Sequence, residues 1–224
     1  MLSPLFEEGD YIMDKDEVLI VPYNTISNTI LLTNGYTNLT TNDLKNIKIN
    51  DIYKAWQDKW TYVPKKEAEK SIVVCQLIPY VIVKNEFNEY YILEKTDNFY
   101  SKYNKEKTYK NKKSLGINKH ILKSEYGYYD PIFNCAASIV LDDYKILDIK
   151  RPMRFKGFII NHTEKDNIHL GLVFINNVDK SNVPKQKKEC YESKWLSKNE
   201  LIDKYGQFDQ WSKYIIDYLV DNEL

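Results

Sequence analysis

Cysteine, glycine, proline, histidine and net charge are all in short supply in this chain. Its 224 residues hold three cysteines, seven glycines, seven prolines and three histidines, and 32 Lys and Arg balance 32 Asp and Glu. Cys75, Cys135 and Cys190 form an odd set with no Cys-x-x-Cys spacing. That argues against both a disulfide framework and a zinc site, and leaves them as small hydrophobes in or near the core. Zero net charge removes the overall basic field that draws a protein onto nucleic acid, so a nucleic-acid partner is not expected. No apolar run reaches the roughly 18 residues that cross a bilayer, which speaks against a membrane protein. Residues 1–10 are acidic rather than basic and then apolar, so a soluble protein of the cytoplasm is the expectation.

What the chain does have is an apolar fraction of 43%, enough for a core in one large domain or in a domain with an added subdomain. Glu17-Val-Leu-Ile-Val21 is short, apolar and β-branched, and reads as a buried strand ended by Pro22. Ile30 to Tyr36 contains the turn signal Asn34-Gly35, and Thr37 to Asp43 follows as a loop or helix start. The most apolar run, Ile72 to Val83, forms a hairpin with Tyr90 to Glu94 in this reading. Asp97 to Lys113 is rich in Lys, Asn and Tyr and lacks apolar periodicity. It reads as an exposed loop whose lysines either face solvent or neutralise the phosphates of a ligand. Trp211, Tyr214, Ile215, Tyr218 and Leu219 give residues 210–220 the spacing of an amphipathic C-terminal helix.

Between these elements, Phe133, Ala136, Ala137, Val140 and Leu141 recur at a period suited to a buried helix face, with Asp130 as N-cap and Pro131 as first residue. The pattern ends on Asp142-Asp143. Two acids at a helix C-terminus oppose the macrodipole, at a cost of about 0.3–1 kcal/mol each. Such a pair either faces solvent or hints at a cation.

Three segments flank this helix: Ser114-Leu-Gly-Ile-Asn-Lys-His-Ile121, Gly157-Phe-Ile-Ile-Asn161 and His169-Leu-Gly-Leu-Val-Phe174. Together they resemble the Nudix (MutT-like) superfamily, in the branch described as predicted phosphoesterases. Members of that branch carry Ser-Ile-Gly-x-Gly-Gly-His-Ile before the catalytic box, then Gly-Phe-Ile-Asn and Val-His-Leu-Gly-Leu-Val-Phe after it. Asp16 to Pro22, Tyr62 to Glu69, Gln76 to Val83, Trp195 to Leu201 and Trp211-Ser212 are similar in order and spacing, so the resemblance covers most of residues 16–215. It implies an α/β fold, a Nudix-like α/β/α sandwich with a mixed central sheet. Residues 1–70 would be an N-terminal extension packed on the core, and residues 71–224 the Nudix-like domain with its C-terminal helix.

The Nudix box, Gly-x5-Glu-x7-Arg-Glu-U-x-Glu-Glu-x-Gly-U with U aliphatic, brings acids on adjacent helical turns together. They hold Mg²⁺ or Mn²⁺, which bridges a diphosphate and helps activate water. Set against that box, Ser138 stands for the Arg, Ile139 for the first Glu, Asp142-Asp143 for the final pair, Asp130 for the upstream Glu and Ser124 for the Gly. The shorter Asp arms withdraw each carboxylate by about 1.5 Å, large against Mg–O bonds of about 2.1 Å.

A degenerate box implies a protein that binds a nucleotide or other diphosphate-linked ligand and hydrolyses it weakly or not at all. The alternatives are an active Mg- or Mn-dependent pyrophosphohydrolase, and an interaction module with a filled pocket that meets a protein partner or forms a homo-oligomer. The candidate catalytic residues are Asp142, Asp143 and Asp130, the first two doubling as metal ligands. The candidate ligand-binding residues are Gly116, Asn118, Lys119, His120, His169 and Glu94, with Glu192 a further acid outside the helix. Structural hydrogen bonding is the plainer use for the two histidines, and a surface position the plainer one for Glu94.

Overall fold

The computed structural model describes residues 17–27, 35–38, 54–95, 112–126, 129–146, 152–161, 169–181 and 191–224. Ten strands among them form one mixed sheet: β1 (Glu17–Pro22), β2 (Gly35–Asn38), β3 (Thr61–Pro64), β4 (Val74–Asn85), β5 (Tyr90–Lys95), β6 (Lys113–Ser114), β7 (Gly116–Asn118), β8 (Arg154–Asn161), β9 (His169–Val178) and β10 (Tyr191–Leu196). The helices are α1 (Tyr23–Ser27), α2 (Lys65–Ala68), α3 (Lys123–Tyr126), α4 (Pro131–Ser138), which continues as a π-helical turn (Ile139–Asp143), α5 (Lys198–Asp203) and α6 (Gln210–Asp221). No described helix is long and apolar enough to cross a membrane.

The main path across the sheet is β10-β5-β4-β9-β8-β2, and its one parallel pairing is β4 with β9, from Gln76 opposite His169 to Asn85 opposite Val178. Both strands are nearly continuous apolar runs, as a sheet covered on both faces requires. The other edge of β4 is shared in turn by three strands. β1 pairs with it from Val74 to Gln76, β7 from Tyr80 to Ile82, and β5 at Lys84.

Pro79 sits where β1 gives way to β7. The Lys119 N–H donates to the Pro79 carbonyl at 3.3 Å, and proline has no N–H to return. The neighbouring chain parts from β4 at that point and turns to β1, where Leu19 N–H donates to the Ile121 carbonyl at 3.0 Å. The β1 strand thus belongs to the central sheet itself, with Val18 to Val21 buried.

Successive side chains on a strand point to opposite faces, and the two faces have different covers. On one, Ile132, Cys135, Ala136, Ile139 and Val140 pack on Leu77, Val81, Val83, Leu170, Leu172 and Phe174. On the other, Ile215, Ile216 and Leu219 of α6 pack on Tyr80, Ile82, Ile159, Val173 and Ile175. A smaller apolar group of Val18, Ile20 and Ala68 shares that second face. The layers are helix, sheet, helix, as expected from the sequence.

Two local readings need correction. The buried stripe of α4 is Ile132, Cys135, Ala136 and Ile139, whereas Phe133 and Leu141 are exposed; the i, i+3, i+4, i+7 set wins because all four members reach the sheet together. Thr37 and Asn38 lie in β2, opposite Phe158 and Gly157, instead of in a loop. Cys75 and Cys135 are buried free thiols, and burial pushes each up to about 12. Cys190 and most of the lysine-rich segment, residues 97–111, lie outside the described residues.

The C-terminal helix is docked by polar as well as apolar contacts. Asp209 caps it by accepting from the Ser212 N–H at 2.8 Å. The Ser212 hydroxyl oxygen accepts from the Leu115 N–H at 2.8 Å and lies 3.1 Å from the Tyr80 hydroxyl. Gly171 admits the Trp211 ring, since a Cβ there would stand 2.8 Å from Cζ3. Gly171→Val should lower stability by about 1–3 kcal/mol, the usual cost of overpacking, read as an earlier urea midpoint. An unchanged midpoint would mean that Trp211 does not depend on that gap.

Candidate functional site

Asp130 opens α4 from a left-handed backbone conformation (φ 44°, ψ 52°), and its carboxylate accepts from the Phe133 N–H at 3.4 Å. Pro131 fills the first helical position, where a missing N–H costs nothing. Asp130 is therefore a helix cap. Twelve residues at 1.5 Å rise each place it about 18 Å along the axis from Asp142. The expectation that it joins the Asp pair fails on that length alone.

At the other end, the Tyr144 N–H donates to the Ile139 carbonyl at 2.9 Å, the i to i+5 bond of a π-turn. The wider turn leaves Ile139 and Val140 fully in the core and Asp142 and Asp143 at the surface. Tyr144, also buried, donates its hydroxyl to the Val81 carbonyl at 3.1 Å and pins the turn to β4. Ile139, set against the box's first acid by the sequence resemblance, is a core residue here. A carboxylate in that position would be desolvated by the sheet.

Lys119 faces this end of the helix. Its backbone follows β7, where Ile117 packs on the α4 side, and alternation returns Lys119 to the same side. Its ammonium lies 3.3 Å from Glu125 and 5.6 Å from the centroid of the Tyr126 ring. Tyr126 and Ser138 hydroxyls are 2.7 Å apart, and Ser138 donates to the Cys135 carbonyl at 2.9 Å. A serine has one proton to give, so Tyr126 donates to Ser138 and Ser138 to the helix. A directed chain of hydroxyls thus runs from Tyr126 through Ser138 to the helix backbone. Burial pushes the Tyr126 phenol up to about 12 against the pull of Lys119 and Ser138.

Partial desolvation against the helix end raises the Asp143 carboxyl above its ordinary value although the residue is at the surface; the Lys119 ammonium pulls it back and the neighbouring Asp142 pushes it further up. Burial tends to discharge Lys119 itself, but Tyr126, Glu125 and Asp143 outweigh it and hold the ammonium above its usual range.

These residues do not fit a Mg²⁺ or Mn²⁺ centre. Such ions want near-octahedral oxygen ligands, whereas two short acids are present and one already interacts with a built-in cation. Among the described residues no three His, Cys, Asp or Glu side chains are close enough to hold a metal.

The remaining sequence candidates are placed elsewhere. Glu94 follows Leu93, which faces α4, so it points to the α6 side. There it lies 3.2 Å from Lys113, whose ammonium also donates to Gln207 at 2.6 Å. Glu192 is its partner on β10, on that same side. Neither acid reaches the box helix. Gly116 is needed for close packing of β7 on β4, since a Cβ would stand 2.6 Å from the Val81 carbonyl oxygen. Asn118 is exposed, opposite Tyr80 on the α6 side. His120 and His169 come together, with ring centroids 6.1 Å apart, and His169 faces away from α4.

Sequence reasoning had no hold on Glu125 and Tyr126 as partners of Lys119, because a six- or seven-residue separation through a turn has no fixed spatial meaning. It also passed over Gln76, which sits inside the most apolar run of the chain.

No family model matches the sequence, and no curated protein matches it. Solved structures do. The chain is similar to Tm1382, a candidate Nudix hydrolase, with 20% identity and a TM-score of 0.69 over 92% of this chain and 98% of that one. Weaker likeness joins it to DR0079 from Deinococcus radiodurans, at 10% identity and a TM-score of 0.47 over 72% of this chain and 90% of that one. The MutT protein from Methanosarcina mazei Go1 follows at 16% identity and 0.44, over 64% and 89%. The likeness to Tm1382 establishes a Nudix-like fold, in agreement with the resemblance read from the sequence. It speaks to fold and leaves activity to the site.

The raised Asp143 carboxyl has a consequence for stability. It binds its proton more tightly in the folded state, so its contribution is full below the unfolded value of 3.8 and is lost as pH rises through the folded value. Asp143→Asn should therefore melt above the parent at pH 7, and the gap should close as the pH falls below about 4. A variant that melts lower at pH 7 would show that the pairing with Lys119 outweighs burial.

Proposed function

We propose that this protein, with its Nudix-like fold, binds a nucleotide or another diphosphate-linked ligand and hydrolyses it weakly or not at all. The observation that carries this reading is the cluster around Lys119. An ammonium and two hydroxyls stand beside the helix on which the resemblance places the diphosphate, while the first acid of the box is replaced by the buried Ile139. A fixed ammonium offsets phosphate charge, but it does not lower the pKa of a water or bridge two phosphate oxygens as a divalent ion does. Binding is supported by the cation, and weak turnover by the missing ligands.

A second reading, a protein-interaction module, is favoured by one observation. Tyr129 just before the helix, Phe133 in its first turn and Leu141 in its terminal π-turn are all exposed, at 89%, 44% and 40%. Exposed large apolar side chains near one helix are candidates for a contact site.

Calorimetric titration with nucleoside di- and triphosphates, dinucleotides and nucleotide sugars, with and without Mg²⁺ or Mn²⁺, separates the readings when product release is followed in parallel. Binding without turnover is the expected result, with affinity reduced about tenfold or more in Lys119→Met, the scale of one lost charge-assisted contact. Metal-dependent turnover abolished by Asp142→Ala or Asp143→Ala would establish a pyrophosphohydrolase instead. Silence across the panel would leave the interaction reading.

A further inference from the structure

The strand at one end of the sheet carries a charge pattern that is its own complement. β10 closes the path β10-β5-β4-β9-β8-β2, and among the described residues it pairs with β5 alone. Its outward row of backbone N–H and C=O groups is therefore a template for another strand. Proteins commonly spoil such an edge with a proline or a β-bulge. β10 has neither: it runs against β5 without a shift, from Tyr191 opposite Lys95 to Leu196 opposite Tyr90.

Charge is a further guard on an edge, and it deters pairing only where it meets its own sign. Glu192 and Lys194 are both exposed. Both point to the α6 side, since they oppose Glu94 and Ile92, whereas Ser193 and Trp195 oppose Leu93 and Tyr91, which face α4. Glu192 thus stands directly across from Glu94, a like-charge pair that costs stability in a sheet. Lys113 offsets Glu94 at 3.2 Å, but its ammonium is shared with Gln207 at 2.6 Å. A cation brought to the outer side of Glu192 relieves that pair.

We infer that β10 is an interface for a second copy of this chain, the two β10 strands lying antiparallel across a two-fold axis at Ser193. In that register Glu192 of each copy is opposite Lys194 of the other, so two opposite-charge pairs form together on the α6 side. The neighbouring registers are penalised. Sliding by two residues one way brings Glu192 opposite Glu192, and the other way Lys194 opposite Lys194. Sliding by one sets side chains of the α6 side against those of the α4 side. Charge therefore selects a single register as well as permitting the contact. On the α4 side the axis passes between two small Ser193 side chains, each with its hydroxyl 2.6 Å from the Tyr91 hydroxyl of its own copy. A segment of another protein would have to bring Glu and Lys at the same spacing; a second copy brings them by symmetry. This interface does not depend on the nucleotide reading.

The test is sedimentation equilibrium of the intact protein over a dilution series. The parent should dimerise reversibly. Lys194→Glu and Glu192→Lys should each raise the dissociation constant about tenfold or more, since each turns two attractive pairs into two repulsive ones. An equimolar mixture of these two variants should associate as well as the parent does, because every Glu then faces a Lys. In a Cys190→Ser background, Ser193→Cys should yield a disulfide-linked dimer under mild oxidation, as directly opposed Cα atoms about 4.5–5.5 Å apart are within disulfide reach. Glu192→Cys should yield none, because its own mate is then a diagonal neighbour about 7–8 Å away. A parent that stays monomeric at every concentration overturns the inference. So does a dimer indifferent to both charge reversals, a mixture that fails to associate, or equal cross-linking of the two cysteine variants.

Discussion

Strand alternation in the buried pair β4 and β9 is the constraint from which the rest of this structure follows. Each side chain on these strands must face either α4 or α6, and each face is fully covered. Leu77, Val81 and Leu172 go one way, and Gln76, Tyr80 and His169 the other. A residue's chemistry is thus assigned to a face before its neighbours are considered. The candidate residues that cluster within a few positions of sequence, such as Asn118, Lys119 and His120, are divided between two faces by this rule.

The helix that starts at Pro131 shows how the sheet sorts a helix end into core and surface. A π-turn at its end rotates Ile139 and Val140 into the core, and Tyr144 fastens that turn to β4. Of the acids left outside, Asp143 feels the charge of the Lys119 ammonium from the preceding strand segment. Lys119 also holds Glu125 and Tyr126, so the charge that a divalent ion would bring is present as a side chain. Its pairs are partly exposed and of modest strength individually, yet they place a cation and two hydroxyls within one turn of the helix end.

Much of the fold was legible because periodicity survives in the sequence. The strand from Glu17, the hairpin from Ile72 to Glu94, the Asp130-Pro131 helix start and the C-terminal helix near Gln210 all stand where pattern and cap chemistry put them. The face of α4 was misread because two overlapping apolar stripes exist, and only the sheet decides which is buried. The site was less legible. Asp130 and Glu94 were linked to the Asp pair by the chemistry they share, and both are committed elsewhere, one to a helix cap and the other to Lys113. Gln76 gave no signal, since a single amide in an apolar run is unremarkable until its partners are known to be missing.

By itself the sequence determined the order and type of the elements, through apolar spacing, turn residues and caps, which act over a few neighbours. It also determined that Ser138 and Ile139, and no arginine or acid, precede the Asp142-Asp143 pair, since that is a matter of identity at fixed spacing. Only the tertiary structure decided which groups meet: Lys119 with Glu125 and Asp143, His120 with His169, and Gln76 with no hydrogen-bond partner among the described residues. Those outcomes depend on strand register and on the fork at Pro79, and both are fixed by pairing between segments far apart in the chain.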